Sequence, residues 1–286
     1  MDISDTVLSL DLGPKDSLYR IRRDEANISR VIYVTADLSI IPEDRRTYGP
    51  WVLQELRKLQ RWNDIWDTLT VCKDGSKIQC YPDQWKPHRL PQQQILSLYE
   101  CFNILDLRVM QSIKDRVFRV ALGSKSCFLK IARFPHEMLW LRQEIKIYHA
   151  LMDFHSTLAP AFLGYAFEER YCRVTGFLFE EVHGRFADIV DLQTCEDALH
   201  RLHALDIIHG DVNRYNIIVT TNGPTFIDFE DSRIGPNGSL EEWEGQKAEE
   251  MQNLSSKLLD ESGKGRPWTF ETLEISPPSV SLSSHT

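Results

Sequence analysis

The segment His209-Gly210-Asp211-Val212-Asn213-Arg214-Tyr215-Asn216, with Phe226-Ile227-Asp228-Phe229-Glu230 downstream, constrains the fold of this chain more than any other feature. Apolar Ile207-Ile208 leads into the loop and Ile217-Ile218-Val219-Thr220 leads out of it. Thr221-Asn222-Gly223-Pro224 then turns the chain into Thr225-Phe226-Ile227. Short β-branched and aromatic runs bounded by Asn, Gly and Pro read as loop, strand, turn, strand. One such unit therefore carries two carboxylates and an amide: Asp211, Asp228 and Asn216. A lone His-x-Asp would carry little weight, because an Asp in a loop is ordinarily a solvated turn residue or a helix cap.

The chain has 286 residues, 42% of them apolar, enough for one large domain or for two lobes with an added segment. A net charge of −9 and a pI near 5.5 argue against a nucleic-acid backbone as a general partner. No apolar stretch approaches the roughly 20 residues that span a bilayer. The start, Met1-Asp2-Ile3-Ser4-Asp5, lacks the basic then apolar pattern of a leader. The expectation is a protein of the cytoplasm, with the nucleus open, binding neither nucleic acid nor membrane. The six cysteines (72, 80, 101, 127, 172 and 195) form no C-x-x-C and no cluster. Neither zinc nor a disulfide framework is implied, and Cys72 and Cys80, flanking a turn, are expected as reduced thiols.

Residues 1–100 are read as an accessory region of strands, a helix and a hairpin. Short strands are expected at Tyr19–Ile21 and Val31–Thr35. Val52, Leu53, Leu56, Leu59 and Trp62 form a helical stripe over Trp51–Trp62. Leu69–Lys73 and Lys77–Tyr81 flank Asp74-Gly75-Ser76, a tight hairpin turn. Pro82, Pro87 and Pro91 mark an irregular connection. Strands are expected at Leu105–Ile113, Val117–Leu122 and Ser126–Ala132. After Pro135, Met138, Leu141, Ile145 and Tyr148 repeat at intervals of three and four, an amphipathic helix with Glu144 on the edge of its stripe, able to reach Lys130. Glu137, on nearly the same face, is the alternative partner. Residues 189–205 read as a packed helix on which His200 and His203 are packing or surface residues. The acidic run Glu241–Glu250 reads as a solvated face and Ala248–Leu259 as a short helix. The Ser/Pro-rich 275–286 reads as a disordered tail.

The two motifs resemble the catalytic loop (H-x-D-x-x-x-x-N) and metal-binding loop (D-F-x) of protein kinase-like enzymes, over about residues 103–262. The resemblance is nearest to compact atypical kinases and phosphotransferases whose loop reads His-Gly-Asp: RIO-type kinases, the kinase of the KEOPS complex, aminoglycoside and choline phosphotransferases, and fungal kinase-like proteins. It implies an α+β bilobal fold with a β-rich amino-terminal lobe, a truncated helical carboxy-terminal lobe and an α+β extension before them. It implies ATP and Mg²⁺ as cofactors. Asp211 would align and deprotonate the attacking hydroxyl, Asn216 and Asp228 would hold the metal, and Lys130, oriented by Glu144, would hold the phosphates. Arg173–Gly184 resembles the strand and hinge between lobes. Phe179 would border the adenine pocket, and the Glu180 carbonyl and Val182 amide would pair with the adenine edge.

Three departures narrow this expectation. Ser112-Ile113-Lys114-Asp115 stands where a glycine-rich loop covers the phosphates, and without glycines the backbone cannot approach them as closely. Asn213 replaces the lysine two positions after the catalytic Asp, and Arg214 supplies its charge only if it points inward. Glu230 replaces the glycine of the D-F-G pattern, no Ala-Pro-Glu follows, and only 56 residues remain after Glu230. The leading expectation is a phosphotransferase acting on a hydroxyl, with a small-molecule acceptor weakly favoured over an atypical protein one. A pseudokinase scaffold using residues 1–100 to bind a protein partner, and an atypical Ser/Thr protein kinase, are the alternatives.

Overall fold

A computed structural model describes residues 3–25, 28–168, 173–236 and 238–267. The amino-terminal sheet comprises β1 (Ile3–Leu12), β2 (Asp16–Glu25), β3 (Ile28–Asp37), β4 (Thr68–Asp74) and β5 (Lys77–Pro82), in that spatial order. All neighbours are antiparallel except β3 and β4. A parallel pair needs a long crossover, and residues 38–67 supply it, carrying α1 (Gly49–Leu56). Val52, Leu53 and Leu56 of that helix pack on Tyr19, Ile21, Ile32, Val34, Leu69 and Val71. The helix ends at Leu56 rather than Trp62. Leu59 and Trp62 reach the same core from a run of turns, so the apolar stripe is real but the helical spacing does not persist. Strand β1 was not expected; as an edge strand only half covered, it lacks an apolar run. The β4–β5 hairpin turns at Gly75-Ser76, with Gly75 at φ +57°. Cys80 pairs with Val71 and Cys72 with Gln79, so the two thiols lie on opposite faces, unlinked.

The opposite face of this sheet docks on the next one through buried charge. Arg20 of β2 and Tyr33 of β3 converge on Glu168, which is fully buried; Arg20 Nε lies 2.7 Å from Glu168 Oε1 and the Tyr33 hydroxyl donates to Oε2 at 2.8 Å. Arg173 completes the cluster at 2.8 Å from Oε2. The proline-marked connection lies along the seam, where the Leu90 amide donates to the Val174 carbonyl at 2.7 Å.

The second sheet contains β6 (Glu100–Asn103), β7 (Arg108–Lys114), β8 (Val117–Leu122), β9 (Lys125–Ile131), β10 (Phe162–Glu168) and β11 (Arg173–Glu180), in the order β6-β10-β11-β9-β8-β7. Strand β7 starts at Arg108, because residues 104–106 form a 3₁₀ turn. The amphipathic helix α2 (Met138–Asp153) joins β9 to β10 and places Leu141, Ile145 and Tyr148 in a core shared with Phe177 and Phe229. Beyond β11 come β12 (Arg185–Phe186), α3 (Leu192–Ala204), β13 (Ile207–Ile208), β14 (Ile217–Thr220), β15 (Gly223–Phe226), β16 (Arg233–Ile234) and α4 (Leu240–Leu259). The architecture is α+β: a β-rich lobe and a compact helical lobe, joined behind the expected hinge.

One expectation is corrected by α4. The helix starts at Leu240 rather than Ala248, so the acidic run at 241–250 is its first half, with Glu241, Glu242, Glu244 and Glu249 exposed as a solvated face. Ser239 and Glu242 form a capping box, with Ser239 Oγ accepting from the Glu242 amide at 3.2 Å and Glu242 Oε2 accepting from the Ser239 amide at 3.0 Å. Trp243, Leu254 and Leu258 bury one face of the helix. Residues 275–286 lie outside the described residues. Among the described residues, no helix is long and apolar enough to cross a membrane.

Candidate active site

Strands β13 and β14 hold the two ends of loop 209–216. His209 is fully buried, with its ring 5.1 Å from that of Phe229. Burial lowers the imidazole pKa, so the ring is neutral. Its partners fix the tautomer: Nε2–H donates to the Ile227 carbonyl at 3.1 Å, and Nδ1 accepts from the Asp211 amide at 3.4 Å. Gly210 sits at φ +84°, where a Cβ would fall 2.2 Å from the Asp231 carbonyl oxygen, so the close passage of these two backbones admits glycine alone. From α4, Glu250 reaches under the loop. Its Oε1 accepts from the Gly210 amide at 2.6 Å, and its Oε2 accepts from the His209 amide at 3.2 Å and lies 2.7 Å from His203 Nε2.

Asp211 is half-buried, and its Oδ2 accepts from the amide groups of Asn213 and Asn216 at 3.2 and 3.1 Å. Asn213 thus stands against the carboxylate in place of a lysine, while its Oδ1 caps the next turn through the Tyr215 amide at 2.9 Å. Arg214 does not turn inward: Nη2 lies 3.1 Å from Asp188 Oδ2. Asn216 Nδ2 also donates to the Asp211 carbonyl at 2.9 Å. The Ile227 amide donates to the Asn216 carbonyl at 3.0 Å, tying this loop to the one that carries Asp228.

Lys130, near the end of β9, is buried among three carboxylates. Its Nζ lies 2.6 Å from Glu144 Oε2, 2.6 Å from Asp228 Oδ1 and 2.9 Å from Glu230 Oε1. Burial alone would lower the ammonium pKa, but Asp228, Glu144 and Glu230 reverse that and raise it. Burial drives the Glu144 carboxyl up to about 7 even beside Lys130, with Asp228 and Glu230 adding to the shift. Asp228 is held well below the usual carboxylate range, because the charges of Lys130 and Lys114 outweigh its burial. Glu144 also accepts from the Phe229 amide at 3.2 Å, so α2 sets the position of both Lys130 and the Asp228 loop. Glu137 turns to Arg133 at 2.8 Å instead. Asp228 itself is at φ +67°, a left-handed conformation unusual for a non-glycine residue.

The β7–β8 hairpin turns on Asp115-Arg116 with no glycine. Sequence reasoning recorded that absence and missed the cations. Lys114 Nζ lies 3.4 Å from Asp228 Oδ2, and Arg116 Nη2 donates to both oxygens of Glu230 at 2.6 and 2.7 Å. The available signal was a basic residue at the end of β7 and another in the turn itself; the carboxylates they meet lie 114 positions away. Glu250 was missed as well, although a carboxylate in register with Trp243, Leu254 and Leu258 marks a buried acid. At the hinge, Phe179 is buried, Glu180 is exposed and Val182 is half-buried.

The residues fit a divalent cation. The orientation of the Asn216 amide follows from its Nδ2 bonds, and it leaves a buried Oδ1 with no partner among the described residues, a hard carbonyl donor suited to magnesium. Carboxylate oxygens of Glu144, Asp228 and Glu230 lie within 4.8 Å of one another, around the Lys130 ammonium. A cavity of about 310 Å³ opens on this cluster, lined by Lys114, Arg116, Lys130, Asp228, Glu230 and Arg266. A larger one of about 910 Å³ lies behind the hinge and includes none of Lys130, Asp211, Asn216 or Asp228. Of these four residues the smaller space is lined by Lys130 and Asp228, and Asp211 lines another cavity of about 270 Å³.

The frame is that of a compact bilobal kinase-like fold. Residues 166–237 match the phosphotransferase enzyme family, from β10 through the hinge and the His209–Asn216 loop to beyond β16. The match covers about a quarter of the chain and supports its place in the protein kinase-like and phosphotransferase superfamily. No curated protein matches the chain at a significant level.

Proposed function

We propose that the chain is an ATP- and magnesium-dependent phosphotransferase that moves the γ-phosphoryl group to a hydroxyl, with a small molecule as the favoured acceptor. The observation that carries this reading is the convergence of Lys130, Glu144 and Asp228 on one side of the Ile227–Asn216 hydrogen bond and Asp211 with Asn216 on the other. Magnesium, when bound, would neutralise charge on the phosphates. Asn216 Oδ1 and Asp228 would hold it. Lys130, fixed by Glu144, would pair with the phosphates. Asp211, oriented by the two asparagine amides, would align the acceptor hydroxyl and take its proton. The Glu180 carbonyl and Val182 amide would meet the adenine edge.

A cavity of about 270 Å³ beside Asp211, lined by Arg233, Gln246, Glu249, Asn253 and Lys257, favours a small polar acceptor. A thermal-shift titration tests the nucleotide half of the reading: Mg-ATP at about 100 times its dissociation constant stabilises by roughly 2.7 kcal/mol. No shift at millimolar Mg-ATP would point to a scaffold. Transfer of labelled phosphate into a metabolite extract, absent with Asp211→Asn, tests the catalytic half.

A further inference from the structure

We propose that Lys114 and Arg116 bind the nucleotide's phosphates with their side chains, replacing the backbone amides of a glycine-rich loop, and that Glu230 holds Arg116 in position for this. The inference rests on the phosphotransferase reading. Its basis is the hairpin that forms the roof of the 310 Å³ cavity. A glycine-rich loop works by letting backbone N–H groups approach the phosphates closely. Here the turn residues are Asp115 and Arg116, and both strands carry side chains up to the bend.

The charge that the backbone cannot deliver is present at the same place. Lys114 Nζ and Lys130 Nζ contact the two oxygens of Asp228 from opposite strands of the sheet. Arg116 is 16% exposed; its Nη2 donates to both oxygens of Glu230, and its Nε lies 3.9 Å from Glu137 Oε1. Its other terminal nitrogen, Nη1, is buried with no partner among the described residues. A guanidinium that lines a cavity and keeps an unsatisfied donor can take an anionic acceptor, and its planar fork suits phosphate oxygens. Trp140 lies 5.8 Å from the same guanidinium and limits its swing. A glycine at position 230 could not hold Arg116 in this way, which connects two departures from the kinase pattern: the missing glycines at the hairpin and the acid after Asp228-Phe229.

The test is calorimetric binding of Mg-ATP and of adenosine to the full chain and to Arg116→Met, Lys114→Met and Glu230→Gln, with a melting curve for each. Adenosine lacks phosphates and reports the adenine site and the fold. The expected result is a loss of Mg-ATP affinity of about tenfold or more for Arg116→Met and a smaller loss for Lys114→Met, with adenosine affinity unchanged. Glu230→Gln should fall in the same direction and be no worse than Arg116→Met. If Arg116→Met and Lys114→Met both keep the wild-type ratio of Mg-ATP to adenosine affinity, the inference is overturned while the phosphotransferase reading stands. If the wild-type chain binds neither ligand, both fall. Lys114 is a partly exposed strand-end residue, so its variant remains informative should Arg116→Met fail to fold.

Discussion

Asp211, Asn213 and Asn216 share one hydrogen-bonded cluster, so their contributions separate by what each leaves behind. Asp211→Ala removes the acceptor for two amides but no metal ligand. It should keep Mg-ATP affinity near that of the wild type and lower turnover by about 10²-fold or more, the usual scale of a lost general base. Comparing single-turnover rates with calorimetric affinity checks this, and wild-type turnover would remove Asp211 from the mechanism. Gly210→Ala acts differently, since its Cβ meets a backbone carbonyl and its φ is positive. It should cost about 1–3 kcal/mol and displace the loop, read as a lower denaturant midpoint. The glycine in the motif was legible in the sequence; the reason for it was not, because Asp231 approaches only in three dimensions.

At the scale of elements, α4 decides whether the catalytic loop keeps its shape. Glu250 accepts from two consecutive loop amides and meets His203 of α3, joining two helices and the loop through one carboxylate. Glu250→Ala should destabilise by about 2–3 kcal/mol, since the buried His209 amide loses its partner. It should also reduce turnover while leaving adenosine binding intact. Denaturant melts with parallel ligand titrations check this, and an unchanged turnover would confine Glu250 to stability. Sequence periodicity located α2, α3 and the strands β8 and β14 closely, because each has a regular one-sided or continuous apolar pattern, whereas β11 was expected only from the kinase resemblance. Periodicity cut α1 too long and α4 too short. In α1 the stripe outlasts the helical backbone, and in α4 the acidic first turns carry few apolar residues beyond Trp243, although a capping box starts the helix at Ser239.

At the scale of the whole molecule, the amino-terminal sheet is fastened to the kinase-like part by the buried cluster of Arg20, Tyr33, Glu168 and Arg173. Burial pushes the Glu168 carboxyl up, and the guanidiniums of Arg20 and Arg173 override it and hold it at about 2, below its ordinary 4.5. A lowered folded-state pKa means that the stabilisation is complete above about pH 4.5 and is lost as pH falls toward 2. A shift of this size is worth on the order of 3 kcal/mol. Melting temperature should therefore drop between pH 5 and 3 more steeply in the wild type than in Glu168→Gln. That variant should be less stable at neutral pH, because two buried guanidiniums lose their counter-charge. Equal slopes would mean that other carboxylates govern acid unfolding.

The sequence by itself determined the loop, strand and turn frame around His209–Asn216 and Asp228, and the pairing of Lys130 with a helix glutamate. Those signals are local: spacing, apolar period and turn chemistry lie within a few tens of residues. Only the tertiary structure decided which glutamate meets Lys130, that Arg214 faces Asp188, that Glu250 supports the loop, and that Arg116 and Glu230 meet across 114 positions of chain. The reason is physical. Charge pairing acts over a few ångströms and has no period along the chain, so its partners become legible only once packing has brought the elements together.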